Sequence, residues 1–401
     1  MTLRRSATAL AASAVLCAAA APTAFAGSPS PSAPASPVLP SGLYGKTDPK
    51  YDGVWRQSLA LIAQDATGVR PATKAVDWLT GQQCADGAFT SFRADVTKPC
   101  GPKELLDTNA TAAAVQALDA LGGHDAAVKK GAAWLKSVAG KDGGWSYNPG
   151  GVSDANSTSV VIGALAAAGE PTAKAKKVLV SLAIPCDAKE GGGGFAYQPD
   201  KKTGKLYANA DATGAAVLGT LGAGLAPRPG GKDVSGTGCL NASTPAQTAH
   251  NGATYLAGAT AGKAYLKSAM PGAEDQPDYG NTADAVTALG ADGLIAQARQ
   301  PLAWLEQHAA GWARQSGPAA YAQLIFAARA NGIDPHDFGG ADLVKQLNAT
   351  GPAPASSERA ADAKKDSDRS GVSVWWIVGV GLVAGIGIGF LLSMRGRKRQ
   401  V

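Results

Sequence analysis

The residues best placed to do chemistry come in a recurring string. Asp107-Thr-Asn109-Ala-Thr111 returns as Asp154-Ala-Asn156-Ser-Thr158, and as Asn209-Ala-Asp211-Ala-Thr213 with Asp and Asn exchanged. Asp278-Tyr-Gly280-Asn-Thr282 is a looser fourth copy. Carboxylate, amide and hydroxyl in one short run suit hydrogen bonding to a polar ligand, Ca²⁺ ligation or acid-base work. The same residue types cap helices, at ~1 kcal/mol each. The first three strings follow a glycine-rich turn carrying aromatic residues: Gly87-Ala88-Phe89 with Phe92, Gly143-Gly144-Trp145 with Tyr147, and Gly193-Gly194-Phe195 with Tyr197. Such an aromatic residue either anchors the packing between repeats or offers a ring face to a ligand.

Other chemistries lack their residues. The histidines are His124, His250, His308 and His336, and none is spaced with a cysteine for tetrahedral zinc. There is no C-x-x-C pair. Beyond the first 26 residues the cysteines are Cys84, Cys100, Cys186 and Cys239. An even count outside the cytoplasm favours disulfides. Three connectivities are open. Local pairing, Cys84 with Cys100 and Cys186 with Cys239, would brace two long loops and is the one expected.

The strings need elements to position them, and the chain supplies two helices of unlike character per repeat. One is amphipathic, as in Asp125–Val138 with Lys129, Lys130 and Lys136 on its wet face. The other is nearly uncharged and small-residue-rich, as in Thr158–Ala168, which implies burial on every side. Trp78-Leu79 and Trp134-Leu135 mark the amphipathic helices, with Tyr265-Leu266 and Trp304-Leu305 as later copies. Trp78, Trp134 and Trp304 are expected in the core. Roughly twelve helices are expected, starting near Asp52, Ala72, Asp107, Asp125, Asp154, Thr172, Asn209, Ala246, Asn281, Ala296, Pro318 and Gly340. Six buried helices inside six amphipathic ones form a closed double ring, an α/α toroid. The alternative is an open solenoid, which leaves apolar faces at its ends.

The chain ends address the protein. Arg4-Arg5, an alanine-rich run and Phe25-Ala26 read as a signal peptide over 1–26. A Ser/Pro/Ala-rich spacer covers 27–41, the repeat domain 42–349 and a second spacer 350–371. Val372–Met394 is uncharged and long enough for a ~30 Å bilayer core. Trp375 and Trp376 stand at its entry, and a basic tail, 395–401, follows its exit. The repeat domain is therefore expected outside the cell and the C-terminus inside. Gly381, Gly385 and Gly389 would permit a weak homodimer through this helix. The formal charge of +6 is accounted for by Arg4, Arg5, Arg395, Arg397, Lys398 and Arg399. The remainder has no net charge, and nucleic-acid binding is not expected.

Trp134-Leu135 with Asp142-Gly143-Gly144-Trp145 resembles the Q/W-type repeat of squalene and hopene cyclases and protein prenyltransferases. Trp78-Leu79-x-x-Gln82 with Asp86-Gly87-x-Phe89 is similar to it more fully, since it keeps the glutamine. Helix starts such as Asp107-Thr108-Asn109-Ala110-Thr111 also resemble those of transcobalamin-type vitamin B12 carriers and complement thioester domains. The resemblance covers about residues 50–347 and implies an α/α toroid, but that fold hosts unrelated chemistries. The cyclases hold their acid in a D-x-D-D motif, which is absent here; Asn209-Ala-Asp211-Ala is the nearest string. The prenyltransferases hold zinc, and their residues are not matched.

Binding is therefore favoured over catalysis. No catalytic residue, metal or cofactor is assigned. With the inner helices parallel, their N-termini open on one rim. There Asp107, Asn109, Thr111, Trp145, Tyr147, Asp154, Asn156, Thr158, Phe195, Tyr197, Asn209, Asp211 and Asp278 would meet a medium-sized amphiphilic ligand. The resemblance implies a corrinoid, handed to a membrane transporter as partner; an envelope glycan is the other candidate. Two alternatives stay open. One is a polysaccharide-acting, lyase-like enzyme, and the other a surface adaptor for another protein.

Overall fold

The computed structural model describes residues 39–355, apart from Lys103, 232–237 and Pro271. The expected signal peptide, most of the first spacer, the span at 372–394 with its glycines, and the basic tail lie outside the described residues. Among the described residues no helix is long and apolar enough to cross a membrane.

The described chain is all-α, with twelve α-helices. They are α1 (Gly53–Ala66), α2 (Thr73–Gly81), α3 (Thr108–Leu121), α4 (Asp125–Ser137), α5 (Ala155–Ala167) and α6 (Ala173–Ser181). Then come α7 (Ala210–Leu221), α8 (Pro245–Ala261), α9 (Tyr279–Asp292), α10 (Ile295–Ser316), α11 (Pro318–Ala330) and α12 (Leu343–Asn348). A small antiparallel hairpin, β1 (Leu266–Lys267) and β2 (Pro277–Asp278), precedes α9 and pairs Leu266 with Asp278.

The odd-numbered helices pack in a cycle. α1 lies on α3, α3 on α5, α5 on α7, α7 on α9, α9 on α11, and α11 on α1 again. Their composition explains the arrangement. In α5, Ala155–Leu165 is buried without a break, and in α11 nearly every residue from Ala320 to Ala330 is. A helix buried all round needs neighbours on every side, and small residues let those neighbours come close. A Cβ on Gly219 of α7 would stand 2.8 Å from Ser159 Cα of α5.

The even-numbered helices each bury one stripe. α4 packs on α3 and α5, α6 on α5 and α7, α8 on α7 and α9, α10 on α9 and α11, and α12 on α11 and α1. α2 packs on α1. In α4, Val128, Ala132, Trp134 and Leu135 are buried while Lys129, Lys130 and Lys136 face water. Two expectations for this layer are corrected. Trp78 and Trp304 are half-buried, packed against the edge of the core rather than inside it. Tyr265-Leu266 is not a copy of the helical Trp-Leu step, since Leu266 belongs to β1.

Disulfides join Cys84 to Cys100 and Cys186 to Cys239, the expected pairing, with Cα–Cα separations of 5.6 and 5.7 Å. Residues 350–355, assigned by composition to the second spacer, pack onto the start of the domain. Thr350 carbonyl accepts from Gly45 N–H at 2.9 Å, and Pro352 carbonyl accepts from the Tyr44 hydroxyl at 3.1 Å.

Candidate functional site

Each inner helix from α3 to α9 begins with the same small device. The cap side chain accepts from the helix's third residue: Asp107 from Ala110 N–H, Asp154 from Ser157, Asn209 from Ala212 and Asp278 from Asn281, at 2.7–2.9 Å. Four positions after the cap, a threonine hydroxyl takes a hydrogen bond from the backbone of the preceding turn. Thr111 accepts from Phe89 N–H, Thr158 from Trp145 and Thr213 from Phe195, at 2.9–3.0 Å. In the fourth copy Thr282 accepts from Leu266 N–H at 3.0 Å. Leu266 thus takes the place of the aromatic residue. The glycine two residues before each aromatic has positive φ: Gly87 +100°, Gly143 +91° and Gly193 +83°. At the same offset before Leu266 stands Ala264, with φ 62°.

The turns also stitch neighbouring helices. Val54 N–H of α1 donates to Ser91 carbonyl, Thr108 N–H of α3 to Tyr147, and Ala155 N–H of α5 to Tyr197, at 2.9–3.0 Å. Asn156 Nδ2 of α5 donates to Asp211 Oδ2 of α7 at 2.8 Å. Gln323 Nε2 of α11 donates to both oxygens of Asp284 of α9 at 3.0 Å. Gly45 lies between Pro318, the first residue of α11, and Arg56 of α1. These contacts join first turn to first turn or second turn to second turn around the cycle, so the inner helices begin on the same side.

The residues named from sequence divide at this rim. Trp145 and Phe195 are buried, and Trp145 Nε1 donates to Leu135 carbonyl at 2.7 Å. They are anchors between helices, and the expectation that they offer a face to a ligand is corrected. Thr111 and Thr158 are likewise fully buried in backbone bonds. Tyr147 and Tyr197 are half-buried, and their hydroxyls hydrogen-bond Asp107 and Asp154. Asp107, Asn109, Asp154 and Asn156 are buried, whereas Asn209, Asp211 and Asp278 are half-buried. The rim is thus more open at α7 and α9 than at α3 and α5.

Five of the six inner helices carry, in their first turn, a buried polar side-chain atom with no partner among the described residues. These are Trp55 Nε1 of α1, Asn109 Oδ1 of α3, Asn156 Oδ1 of α5, Asp211 Oδ1 of α7 and Asn281 Oδ1 of α9. Eight further buried side-chain atoms among the described residues, Gln116 Oε1, Thr220 Oγ1 and Asn331 Oδ1 among them, are likewise unpartnered, so these five do not by themselves mark a site.

Electrostatics mark both sides of the rim. Burial pushes Asp154 and Asp211 up to about 6 against the hydrogen bonds from Ser157 and Asn156 that oppose it. Burial also raises Asp278, and raises Asp284 well above the usual carboxylate range despite Gln323. Asp211 further feels Asp278 and Asp154, and Asp284 feels Asp211 and Asp278. Among the described residues none of these four carboxylates forms an ion pair. No three such groups among the described residues converge as a metal site would require.

An aromatic row, missed in the sequence, borders the same side. Tyr265 stands 4.8 Å from Trp304 between ring centroids, Trp304 5.0 Å from Tyr279, and Tyr279 5.8 Å from Trp312. All four rings are half-buried. They come from the α8–α9 connection, α9 and α10, so no local motif announces them. Beside Tyr265 an open depression of about 420 Å³ is lined by Ala210, Lys263 and Lys267 among others.

Known proteins add little to this geometry. No family model matches the chain, and no curated protein does. Among solved structures, a protein from Actinoplanes matches with 18% identity and a TM-score of 0.30, over 68% of this chain and 99% of its own.

Proposed function

We propose that this chain is an extracellular binding protein of the α/α toroid type, tethered by the span at 372–394, and that its rim takes a hydroxyl-rich envelope glycan. The observation that carries the reading is the pairing, on the more open side of the rim, of the half-buried Asn209, Asp211 and Asp278 with a row of half-buried aromatic rings. Amide and carboxylate oxygens on that side accept hydrogen bonds, which suits a ligand that donates them, as sugar hydroxyls do. The half-buried rings of Tyr265, Tyr279, Trp304 and Trp312 supply apolar surface for the C–H faces of a sugar. Delivery to a membrane transporter, the role the repeat resemblance suggests, would use the same rim.

The test is a titration of the full chain, purified in detergent, with neutral cell-wall oligosaccharides and with cobalamin. Saccharides should raise the melting temperature, and Trp312→Ala, which removes a half-buried ring of the row, should abolish the rise. A shift with cobalamin alone would move the site to a corrinoid, and no shift with either would leave the rim without a ligand role.

A further inference from the structure

The large apolar side chains that face water are unevenly placed. Among the described residues these are Tyr51, Val96, Leu105, Val152, Val180, Tyr207, Leu240 and Met270. All but Val180 and Leu240 lie in the connections that lead into inner helices. Three share one repeat position, two residues before the cap: Leu105 before Asp107, Val152 before Asp154 and Tyr207 before Asn209. They are 80, 60 and 60% exposed. Single exposed apolar residues are ordinary, but scatter does not return to one position in three successive repeats. Hydrogen bonds fasten these connections side by side. Asn148 Nδ2 donates to Leu106 carbonyl at 3.1 Å, and Gln198 Nε2 to Val152 carbonyl at 2.8 Å. Packed helices lie about 8–10 Å apart, so the three side chains stand in a row about 20 Å long across the starts of α3, α5 and α7. Tyr51, just before α1, continues the row, with Lys50 Nζ 5.9 Å from its ring centroid. The charge gathers at the other end. The turn before Tyr207 carries the exposed Lys201, Lys202 and Lys205 against one carboxylate, Asp200, which accepts from Thr203.

We infer that this row docks on a lipid bilayer bearing anionic headgroups, with Leu105, Val152 and Tyr207 entering the headgroup layer and the lysines beside Tyr207 meeting the phosphates. The inference rests on the tether proposed at 372–394 and not on the glycan. Separate side chains with Asn148 and Gln198 between them give a protein partner no continuous apolar core to bury. Headgroups part around single side chains, and a tyrosine flanked by lysines suits the interface between water and lipid. Each lysine near an anionic surface adds its own attraction. The reach of the chain agrees. Ala355 bonds Arg70 in the α1–α2 connection, at the end of the domain away from the rim. Residues 356–371 can span at most about 55 Å, against about 21 Å for the height of a 14-residue inner helix, so the row can be laid on the bilayer that holds the tether. A tether also raises the effective concentration of the two surfaces, so a few inserted side chains suffice. The row occupies the arc from α3 to α7 and leaves the aromatic row of α9 and α10 to one side.

The experiment places the full chain in lipid nanodiscs and reads depth by fluorescence. Val152→Cys carries an environment-sensitive dye in the row, and Asp125→Cys, exposed at the start of α4 and away from the rim, carries it in a control. Discs of phosphatidylglycerol with phosphatidylcholine are compared with discs of phosphatidylcholine alone, each with and without spin-labelled lipid as quencher. The dye at 152 should be quenched on the anionic discs, less so on the neutral ones, and the dye at 125 on neither. Adding Leu105→Asp and Tyr207→Asp should abolish the quenching at an unchanged melting temperature, since both side chains face water in the fold. Quenching at 125 instead of 152 would overturn the inference by turning the rim away from the bilayer. No quenching at either position would overturn it too and give the row to a protein partner. Equal quenching on the two kinds of disc would overturn the part given to the lysines. Saccharide binding, read by melting temperature in detergent, is untouched by any of these results, so the two readings fail separately.

Discussion

Ala264 is the residue where local backbone preference and repeat geometry disagree. Its φ of 62° is held because Leu266 must present its N–H to Thr282, as Phe89, Trp145 and Phe195 do to their threonines. The other turns use glycine at this offset, where the left-handed region carries no Cβ penalty. Ala264→Gly should therefore stabilise the domain by about 0.5–1 kcal/mol, read as a higher denaturation midpoint at unchanged m. Gly87→Ala tests the converse. Its Cβ would meet both a positive φ and the Lys130 carbonyl, so it should cost more than Ala264→Gly gains. Equal and small effects of the two changes would mean that these turns do not share one geometry.

Asp211 belongs at the same scale, because burial is the largest influence on its carboxyl. Its carboxyl is pushed up to about 6 in the fold, against about 3.9 in an unfolded chain. The folded state then prefers the neutral acid. That preference is fully present below the unfolded value, is lost as pH rises through about 6, and is flat above it. Asp154, also near 6, adds in the same direction. The melting temperature should be higher at pH 5 than at pH 7.5, and Asp211→Asn should raise it at pH 7.5 and shrink the difference. An unchanged pH dependence in that variant would show that Asp211 stays ionised and solvated.

At the scale of elements, the unit is a turn, a cap and a buried helix joined by two threonine bonds. Thr111 Oγ1 accepts from Phe89 N–H and donates to Asp107 carbonyl at 2.7 Å, both fully inside. Thr111→Val keeps the shape but orphans a buried N–H, which should cost about 1–3 kcal/mol. Thr158→Val should cost a similar amount, because Trp145 N–H depends on it in the same way. This unit was legible in the sequence, since capping is local chemistry that stays close to the residues that perform it. Asp107, Asp154, Asn209 and Asp278 all cap as their types suggest. Tyr265-Leu266 misled because a Tyr-Leu pair copies Trp-Leu in composition, while its place in the repeat is set by the φ of Ala264 and a bond to Thr282. The aromatic row was not legible at all. Trp304 and Trp312 lie on α10, Tyr279 opens α9 and Tyr265 precedes β1, so only the packing of α10 on α9 assembles them.

The disulfides act between elements, and their loops differ in length. Cys84–Cys100 closes 16 residues and Cys186–Cys239 closes 53. If the gain lies in restricting the unfolded chain, the longer loop is worth more by about 1 kcal/mol. Replacing Cys186 and Cys239 by alanine should thus lower the denaturation midpoint further than replacing Cys84 and Cys100. The reverse order would place the stabilisation in the folded loops instead.

For the whole molecule the decisive contact is between α11 and α1, because it distinguishes a cycle from an array with two ends. The seam is sealed by the segments that flank the helices on either side. Tyr44 is fully buried; its hydroxyl donates to Pro352 carbonyl and bonds Gln64, whose Nε2 donates to Asn348 of α12 at 2.7 Å. Ala355 N–H donates to Arg70 carbonyl, in the α1–α2 connection, at 3.0 Å. Tyr44→Phe removes the hydroxyl and leaves buried acceptors behind, a loss of about 1–3 kcal/mol. Where that loss is felt depends on the topology. In a cycle, α1 and α11 guard one seam, so hydrogen exchange should quicken together in α1, α11 and α12, with α5 and α7 on the far side protected. In an open array the change would spread from α1 into α3 and leave α11 untouched. Exchange measured on the Tyr44→Phe full chain therefore reports on the closure that brings every inner first turn, and so the whole rim, to one side.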